Sequence, residues 1–272
     1  MRLDGARCLV VGGARRLGRA IALDLASHGA DLAVGSRSAE GAAAETCAAI
    51  RGLERRGVVV TGDAATPAGA AGLVTAAADA LGGLDVLVYA AGGPFAPAAP
   101  QDEDLGDWQT SFDIAARGFF VAACAAHERF VGNADRAGEG DRAGRAVDGD
   151  RAAAPAAPAA ATRGVIVALT DVLGAAPSAA FAGHGAAKAA QIALVGSLAK
   201  AWAGDGVRVC GVAPGPVDLP DDPRRAATLR AAARTARGRL VTPDEIAQAV
   251  RFVIACDSVT GANLAIDGGA LL

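Results

Sequence analysis

Residues 9–26 have the sequence LVVGGARRLGRAIALDLA, and this stretch decides the fold. A short apolar run is followed by Gly12, by Gly18 six residues later, and then by a helical pattern of apolar residues. A strand that turns tightly into a helix presents free backbone N–H groups and the positive end of the helix dipole, which attract an anion. The stretch therefore predicts a phosphate-binding turn, although such a turn alone also fits a plain connection between a strand and a helix.

The composition indicates a globular protein with a large core. The chain has 272 residues, of which 52% are hydrophobic, and a formal net charge of −3. This length suits one large α/β domain or two small ones. A small negative net charge does not favour binding to nucleic acid or to an anionic membrane surface. We therefore expect neither kind of partner.

The sequence contains no targeting or membrane segment that we recognise. The first apolar run is short and is followed at once by glycines and two arginines, which does not fit a secretory signal. No apolar run reaches the roughly 20 residues that a bilayer-spanning helix needs. The five cysteines have no disulfide-like or ligand-like spacing, and the histidines have no metal-like spacing. We expect a cytoplasmic protein with buried free thiols and no metal site.

Short apolar runs that predict strands alternate with helical patterns along the chain. The predicted strands begin at or near Cys8, Leu32, Gly57, Leu84, Gly164, Val207 and Asn263. After the helix of the opening stretch, helices are predicted over residues 39–51, 67–81, 105–130, 184–203, 220–240 (exposed) and 242–255. Nearly continuous apolar strands separated by helices are typical of a parallel sheet covered on both faces. Trp108 and Phe112, at helical spacing, are expected in the core.

One segment, residues 132–163, departs from this pattern. It contains no Leu, Ile, Phe or Met and is rich in Ala, Gly, Asp, Arg and Pro. Such a composition buries too little surface to offset its ordering entropy, so we predict a disordered insertion. Because the segment leads from a helix back to a strand, it should lie at the sheet edge opposite the ligand crevice. That position favours a surface insertion over a functional lid.

Five motifs resemble the short-chain dehydrogenase/reductase family: the glycine turn, YAAGG at 89–93, Lys188, PGPV at 214–217 and DGG at 267–269. The resemblance covers nearly the whole chain. It implies an oxidoreductase with a single doubly wound, Rossmann-like domain over residues 1–272, a seven-stranded parallel sheet and a bound nicotinamide dinucleotide. The cofactor-binding residues that it implies are Gly12, Arg15, Arg16, Leu17, Gly18, Ser36, Arg37, Ser38, Asp63, Ala91, Gly92, Lys188, Pro214, Gly215 and Val217.

Within that family the chain is most similar to pteridine reductases. Most members of the family have a glycine at the position of Arg16. Pteridine reductases instead have an arginine followed by Leu-Gly, as this chain does. They have a His-Arg-Ser-like sequence after the second strand, where this chain has Ser-Arg-Ser around Arg37. They place aspartate where most members use a catalytic serine, and that position is Asp171. The resemblance implies a pterin-like substrate, with Arg16, Phe95 and Asp171 as substrate residues.

The residues after the second predicted strand favour NADP(H) over NAD(H). An acid there would bond the ribose 2′-OH of NAD and repel the 2′-phosphate of NADP. Arg37, between two serines, can instead hold a 2′-phosphate through charge-assisted hydrogen bonds, although it could also be a solvated residue at a helix start. Asp63 corresponds to the acid that contacts adenine in the family, and it could equally cap the next helix.

The catalytic position departs from the family pattern. The family places a tyrosine four residues before its lysine, and the residue four before Lys188 is His184. His184 follows Asp171 by 13 residues, which is the family's spacing, and residues four apart share a helix face. We therefore predict Asp171, His184 and Lys188 as the catalytic residues. An imidazole can donate a proton to a reduced carbonyl or imine, with a shorter reach than a phenol.

The sequence leaves two functions open. One is an NADPH-dependent reductase of a small carbonyl or cyclic imine, with the segment from Arg224 to Arg239 as a lid. The other is a catalytically impaired homologue that binds the dinucleotide as a sensor or scaffold. The family's asparagine is replaced by Ala115, which favours the second, whereas Asp171 and Lys188 favour the first. The family likeness also implies a homotetramer or homodimer formed through the two long helices.

Overall fold

The computed structural model describes residues 1–93, 96–135, 161–219, 222 and 225–272. Its strands are β1 (Arg7–Val11), β2 (Asp31–Ser36), β3 (Gly57–Thr61), β4 (Val86–Tyr89), β5 (Gly164–Leu169), β6 (Val207–Pro214) and β7 (Asn263–Ile266). They form one sheet in the order β3-β2-β1-β4-β5-β6-β7, and every pairing is parallel. The order reverses between β1 and β4, which is where doubly wound sheets bind ligands. The predicted seven-stranded Rossmann-like sheet is confirmed.

Helices cover both faces of the sheet, as predicted. They are α1 (Arg16–Ser27), α2 (Ala42–Gly52), α3 (Pro67–Leu81), α4 (Leu105–Phe112), α5 (Phe119–Asp135), α6 (Ala182–Trp202), α7 (Arg225–Ala232) and α8 (Pro243–Ala255). On one face α1 and α8 bury apolar residues such as Ile21 and Ile246, with α2 in the same layer. On the other face α3, α5 and α6 bury apolar residues such as Leu73 and Phe119. Each face of the sheet therefore has its own apolar core.

A π-helical segment, Asp113–Gly118, joins α4 to α5 within the stretch predicted as one helix. The Tyr89 hydroxyl at the end of β4 donates to the carbonyl oxygen of Ile114 over 2.7 Å. Gly118 lies so close to β4 that a Cβ there would contact the Tyr89 hydroxyl and the Ala64 carbonyl. The wider π-helical turn thus accommodates the close contact between this segment and β4. Helix α5 continues to Asp135, and the rest of the predicted insertion falls largely on residues 136–160, outside the described residues.

The length predicted for one helix is wrong, although most of its described residues are exposed as predicted. The burial predicted for two aromatic residues is also wrong. The exposed helix predicted over residues 220–240 is shorter in the described structure, where α7 ends at Ala232. Thr235 and Leu240 are buried, and the Arg237 amide donates to the Gly268 carbonyl, because the chain folds back against its C-terminal segment. Trp108 and Phe112 do not lie in the core. Their rings stack on each other 4.2 Å apart, and Trp108 is 36% exposed.

The turn between β1 and α1 depends on close backbone packing. Gly12 has a φ of +79°, in the left-handed region that favours glycine, and it lies against the backbone of Ala91. A Cβ at Gly18 would overlap the carbonyl oxygen of Gly12. Arg16 has a φ of +50°, which a non-glycine residue rarely adopts. The sequence resemblance implies a glycine at this position in most short-chain dehydrogenases/reductases. These contacts fix where α1 begins.

The five cysteines are free thiols: Cys8, Cys47 and Cys210 are buried, and Cys124 and Cys256 are half-buried. In the described part of the chain, no helix is both long enough and apolar enough to span a bilayer.

The close packing at Gly18 predicts a large loss of stability on Gly18→Ala. The added methyl group would overlap the Gly12 carbonyl, which is backbone and cannot move aside without opening the turn. We expect the free energy of unfolding to fall by at least about 2 kcal/mol, measured by urea denaturation. Gly72→Ala is the matched control, because a Cβ in that helical position meets no described atom within 4 Å. It should raise stability by up to about 1 kcal/mol, and equal effects of the two substitutions would contradict this account of the turn.

Candidate functional site

One cavity of about 1530 Å³ lies at the carboxyl ends of the strands. The structure brings most of the predicted site residues together on its walls. These are Gly12, Arg15, Arg16, Leu17, Gly18, Ser36, Arg37, Ser38, Asp63, Ala91, Gly92, Asp171, His184, Lys188, Pro214, Gly215 and Val217. Phe95 lies outside the described residues. The volume exceeds the roughly 300–1,000 Å³ of typical ligand sites, which leaves room for two molecules side by side.

The start of α1 has the properties of an anion site. Its N-cap residue, Arg15, makes no side-chain capping bond, and the first turn contains no acidic residue. The first N–H groups of a helix have no partner within the helix, so they are available to an anion in the cavity. Across the turn, a Cβ at Gly92 would meet none of the described atoms within 4 Å. The backbone thus leaves space for a bound group beside a positive helix end.

The residues after β2 and β3 form another part of the cavity wall. Arg37 and Ser38 are exposed, and the end of β2 carries no acid. Asp63, after β3, accepts a hydrogen bond from the Ala65 amide over 3.0 Å, while Thr66 caps α3. Asp63 therefore stabilises its own turn and lines the cavity as well. Glu40, which the sequence reasoning missed, also lines this part of the cavity, and no motif identified it.

Arg16 makes an ion pair that the sequence did not predict. Its Nη1 lies 3.4 Å from Oδ2 of Asp222, in the segment after β6. The Asp222 side chain is only 8% exposed, whereas that of Arg16 is about half exposed. Such a partly exposed pair contributes little stability, about 0–1 kcal/mol. Its main consequence is geometric, because it connects the glycine turn with the segment that precedes α7.

His184 and Asp171 face each other in the cavity. Nε2 of His184 lies 3.3 Å from Oδ2 of Asp171, and the histidine is buried. The second carboxylate oxygen of Asp171 accepts a hydrogen bond from the Leu173 amide over 2.9 Å, which fixes the carboxylate. A proton on Nε2 satisfies the contact between the two side chains. The contact with the fixed carboxylate can therefore hold the imidazole in one orientation.

The position of His184 depends on how α6 begins. Both carboxylate oxygens of Glu103 accept from the Gly183 amide, at 3.0 and 3.1 Å. A Cβ at Gly183 would contact Trp108 and Glu103, so the helix start is packed tightly against the loop before α4. No sequence motif indicates Glu103 as a partner of α6, because it lies 80 residues away from Gly183 in the chain. A negative side chain at a helix N-terminus is also favourable to the helix dipole.

Lys188 is buried one turn after His184 on α6. Its Nζ donates to the Leu169 carbonyl over 2.7 Å and to Oε1 of Gln191 over 3.0 Å. Burial lowers the pKa of Lys188 to about 8, and the Asp171 carboxylate opposes this shift. Ala115 is buried and offers only a methyl group. An ammonium, an imidazole and a carboxylate thus line one wall, a set that can transfer a proton.

The described residues include no group of three or more His, Cys, Asp or Glu side chains that could hold a metal ion.

Comparisons with known proteins match the chain along most of its length. Residues 6–140 match the family described as short chain dehydrogenase, and residues 150–270 match the family described as enoyl-(acyl carrier protein) reductase. A cis-4-hydroxycyclohexanecarboxylate dehydrogenase of Sinomonas cyclohexanicum is 35% identical, over 96% of this chain and 94% of the relative. An L-rhamnose 1-dehydrogenase (NAD(P)(+)) of a Sphingomonas species is 30% identical, over 98% and 96%.

A solved structure agrees with these matches. A short chain dehydrogenase from Burkholderia cenocepacia, crystallised in complex with NADP, is 30% identical and superimposes with a TM-score of 0.82. The alignment covers the whole of both chains.

The lowered pKa of Lys188 predicts a pH dependence of stability. The folded chain releases this proton near pH 8, whereas the unfolded chain releases it near 10.5. Between these values the unfolded state binds more protons, so the free energy of unfolding of the wild type rises with pH. Lys188→Met lacks this titrating group. Relative to that variant, the free energy of unfolding of the wild type should rise by on the order of 3 kcal/mol between neutral pH and pH 10.5.

Urea denaturation of both proteins at a series of pH values measures this gain. Lys200→Met, at an exposed position near the end of α6, corrects for the loss of a surface lysine. A difference between wild type and Lys188→Met that stays constant with pH would contradict the effect of burial on Lys188.

Proposed function

The chain belongs to the short-chain dehydrogenase/reductase family, and we propose that it is an NADP(H)-dependent member that reduces a small carbonyl or cyclic imine with His184 in place of the family's tyrosine. Oxidoreduction with a nicotinamide dinucleotide follows from membership of the family. The single observation that carries the proposal is the contact between His184 and Asp171 in the cavity that Lys188 also lines.

The cavity fits a dinucleotide. The uncapped start of α1, with Arg15 and Arg16 beside it, would hold the pyrophosphate. Gly92 would accommodate the adenosine side, because its missing side chain leaves open space. Arg37 would pair with a 2′-phosphate, and Asp63 would contact the adenine. The complex of the Burkholderia relative with NADP supports this choice of cofactor.

The backbone after β6 would hold the other end of the cofactor. Pro214, Gly215 and Val217 line the cavity there, and the resemblance assigns this segment to the carboxamide of the nicotinamide. Lys188 would donate to the nicotinamide ribose. When bound, NADPH supplies the hydride that reduces the substrate carbon.

His184 would supply the proton. Nε2 shares a hydrogen bond with Oδ2 of Asp171 at 3.3 Å, which is longer than a strong charge-assisted bond. A substrate oxygen or nitrogen that enters beside Oδ2 would take the proton from Nε2, so C=O becomes CH–OH, or C=N becomes CH–NH. Asp171 would orient the imidazole throughout.

Two substrate classes are compatible with this proton donor. Two relatives are named for a cyclic hydroxy acid and a sugar, which favours an alcohol and carbonyl pair. The argument for a pterin-like cyclic imine rests on Arg16 and Asp171, which the sequence resemblance shares with pteridine reductases. Both classes use the same proton donor. Asp222, paired with Arg16 on the cavity wall, would accept a hydrogen bond from an O–H or N–H group of either substrate.

The segment around α7 would act as a lid, and the long helices would form an interface. Thr228 of α7 and Arg234 after it line the cavity, so movement of this segment would open or close it. Phe120 on α5 is 43% exposed, and Leu105 at the start of α4 is 78% exposed. Exposed apolar side chains on this helical layer support the homodimer or homotetramer that the family likeness implies.

The proposed role of Arg37 predicts that Arg37→Glu discriminates between the two cofactors. The dissociation constant of NADPH should rise by about 10- to 100-fold, because a charge-assisted pair with the 2′-phosphate becomes a repulsion. The dissociation constant of NADH, which lacks this phosphate, should change less than threefold. Titration of protein fluorescence measures both constants, with Arg2→Glu at an exposed site as the control for charge. Equal weakening for both cofactors would refute the 2′-phosphate contact.

Substitutions of His184 separate an enzyme from an impaired homologue. With a panel of ketones, sugars and pterins, His184→Phe should lower kcat by about 100-fold or more and leave the NADPH dissociation constant within about threefold. His184→Tyr should also lower activity if the histidine is the evolved donor. If the wild type reduces nothing and His184→Tyr creates activity, the chain is a dinucleotide-binding homologue that lost its chemistry, as Ala115 would also indicate.

A further inference from the structure

Gln191 is a buried polar residue that the mechanism has not yet used. It is fully buried on α6, one helical turn after Lys188. Its Oε1 accepts a hydrogen bond from Nζ of Lys188 over 3.0 Å. Its Nε2 is buried, and among the described residues it has no hydrogen-bond partner. The side chain thus makes one strong contact and leaves one donor unsatisfied.

The orientation of this amide is fixed by its neighbour. An ammonium group only donates, so the oxygen of Gln191 and not its nitrogen must face Lys188. The buried NH₂ group then loses its hydration without compensation, which destabilises the fold. An apolar side chain of similar volume would avoid that cost. A glutamine here is therefore better explained by its effect on Lys188 than by packing.

We propose that Gln191 is a positioning residue that, with the Leu169 carbonyl, holds the Lys188 ammonium against the cavity wall. Lysine has three N–H donors, and in the described structure two are taken by these acceptors. The direction of the third N–H is then set by the other two hydrogen bonds, and this N–H can donate to a ligand in the cavity. The inference rests on the role proposed for Lys188 in the function above.

The surroundings of Lys188 explain why such a residue is needed. Burial removes the ammonium from water, and the carboxylate of Asp171, two residues after β5, is the charged group that acts on it. His184, one turn earlier on α6, lines the same cavity. From the π-helical segment that packs against α6, Ala115 offers no polar side chain. The Gln191 oxygen supplies a fixed dipole that favours the charged lysine.

The chain contains two lysines, Lys188 and Lys200, which allows a direct test. Protein labelled with ¹³C at lysine Cε should give two signals, and Lys188→Met assigns them. The titration midpoint of Lys188 is then measured in wild type, in Gln191→Met and in Gln191→Glu. Gln248→Leu, on the exposed side of α8, is the matched control for the loss of a glutamine. The Lys200 signal serves as the internal reference between variants.

Gln191→Met should lower the Lys188 midpoint by about one pH unit, because the ammonium loses an acceptor. Gln191→Glu should raise it by about one unit or more, because a carboxylate replaces the amide oxygen. At pH 8 the dissociation constant of NADPH should rise about fivefold in Gln191→Met. If Gln191→Met does not fold, Gln191→Glu carries the test through the opposite shift.

An unchanged midpoint in the variants overturns the proposal, and so does a shifted midpoint with unchanged NADPH affinity. A wild type that binds NADPH and reduces no substrate overturns the proposed function instead, and the titration still decides on Gln191.

Discussion

All strands of the described sheet run parallel, so their carboxyl ends meet at one edge, and every part of the site depends on that constraint. Gly12 follows β1 and His184 lies on α6, yet both line the same cavity. The reversal of strand order between β1 and β4 opens the crevice in which a dinucleotide can lie. Close packing of Gly18 on Gly12 then fixes the start of α1, where the backbone attracts an anion.

A second constraint is the burial of charge beside the cavity. Lys188 is taken out of water, which lowers its pKa, and it keeps its place through two carbonyl-type acceptors. Asp171 is fixed by the Leu173 amide and faces His184. Buried ionisable groups cost stability unless they are paired and hydrogen-bonded, so such a set is typical of functional sites. The same arrangement gives the proposed proton donor its orientation.

The sequence predicted what local patterns and spacing determine. Apolar runs predicted the strands, and the 13-residue separation of Asp171 from His184 placed them together correctly. It could not predict the contact of Asp222 with Arg16, which forms through a loop that has no periodic pattern. Gln191 was overlooked because a polar residue in a mostly apolar helix carries no motif. Helical spacing does not say which face of a helix is covered, so it wrongly predicts Trp108 in the core.

The central claim is that this cavity carries out hydride and proton transfer with histidine where its family uses tyrosine. Single-turnover kinetics test it most directly: excess protein is mixed with NADPH and each member of a panel of ketones, sugars and pterins, and absorbance at 340 nm is followed. We predict that at least one substrate oxidises the bound NADPH in amounts equal to the product formed. Bound NADPH that no member of the panel oxidises faster than free NADPH would contradict the claim.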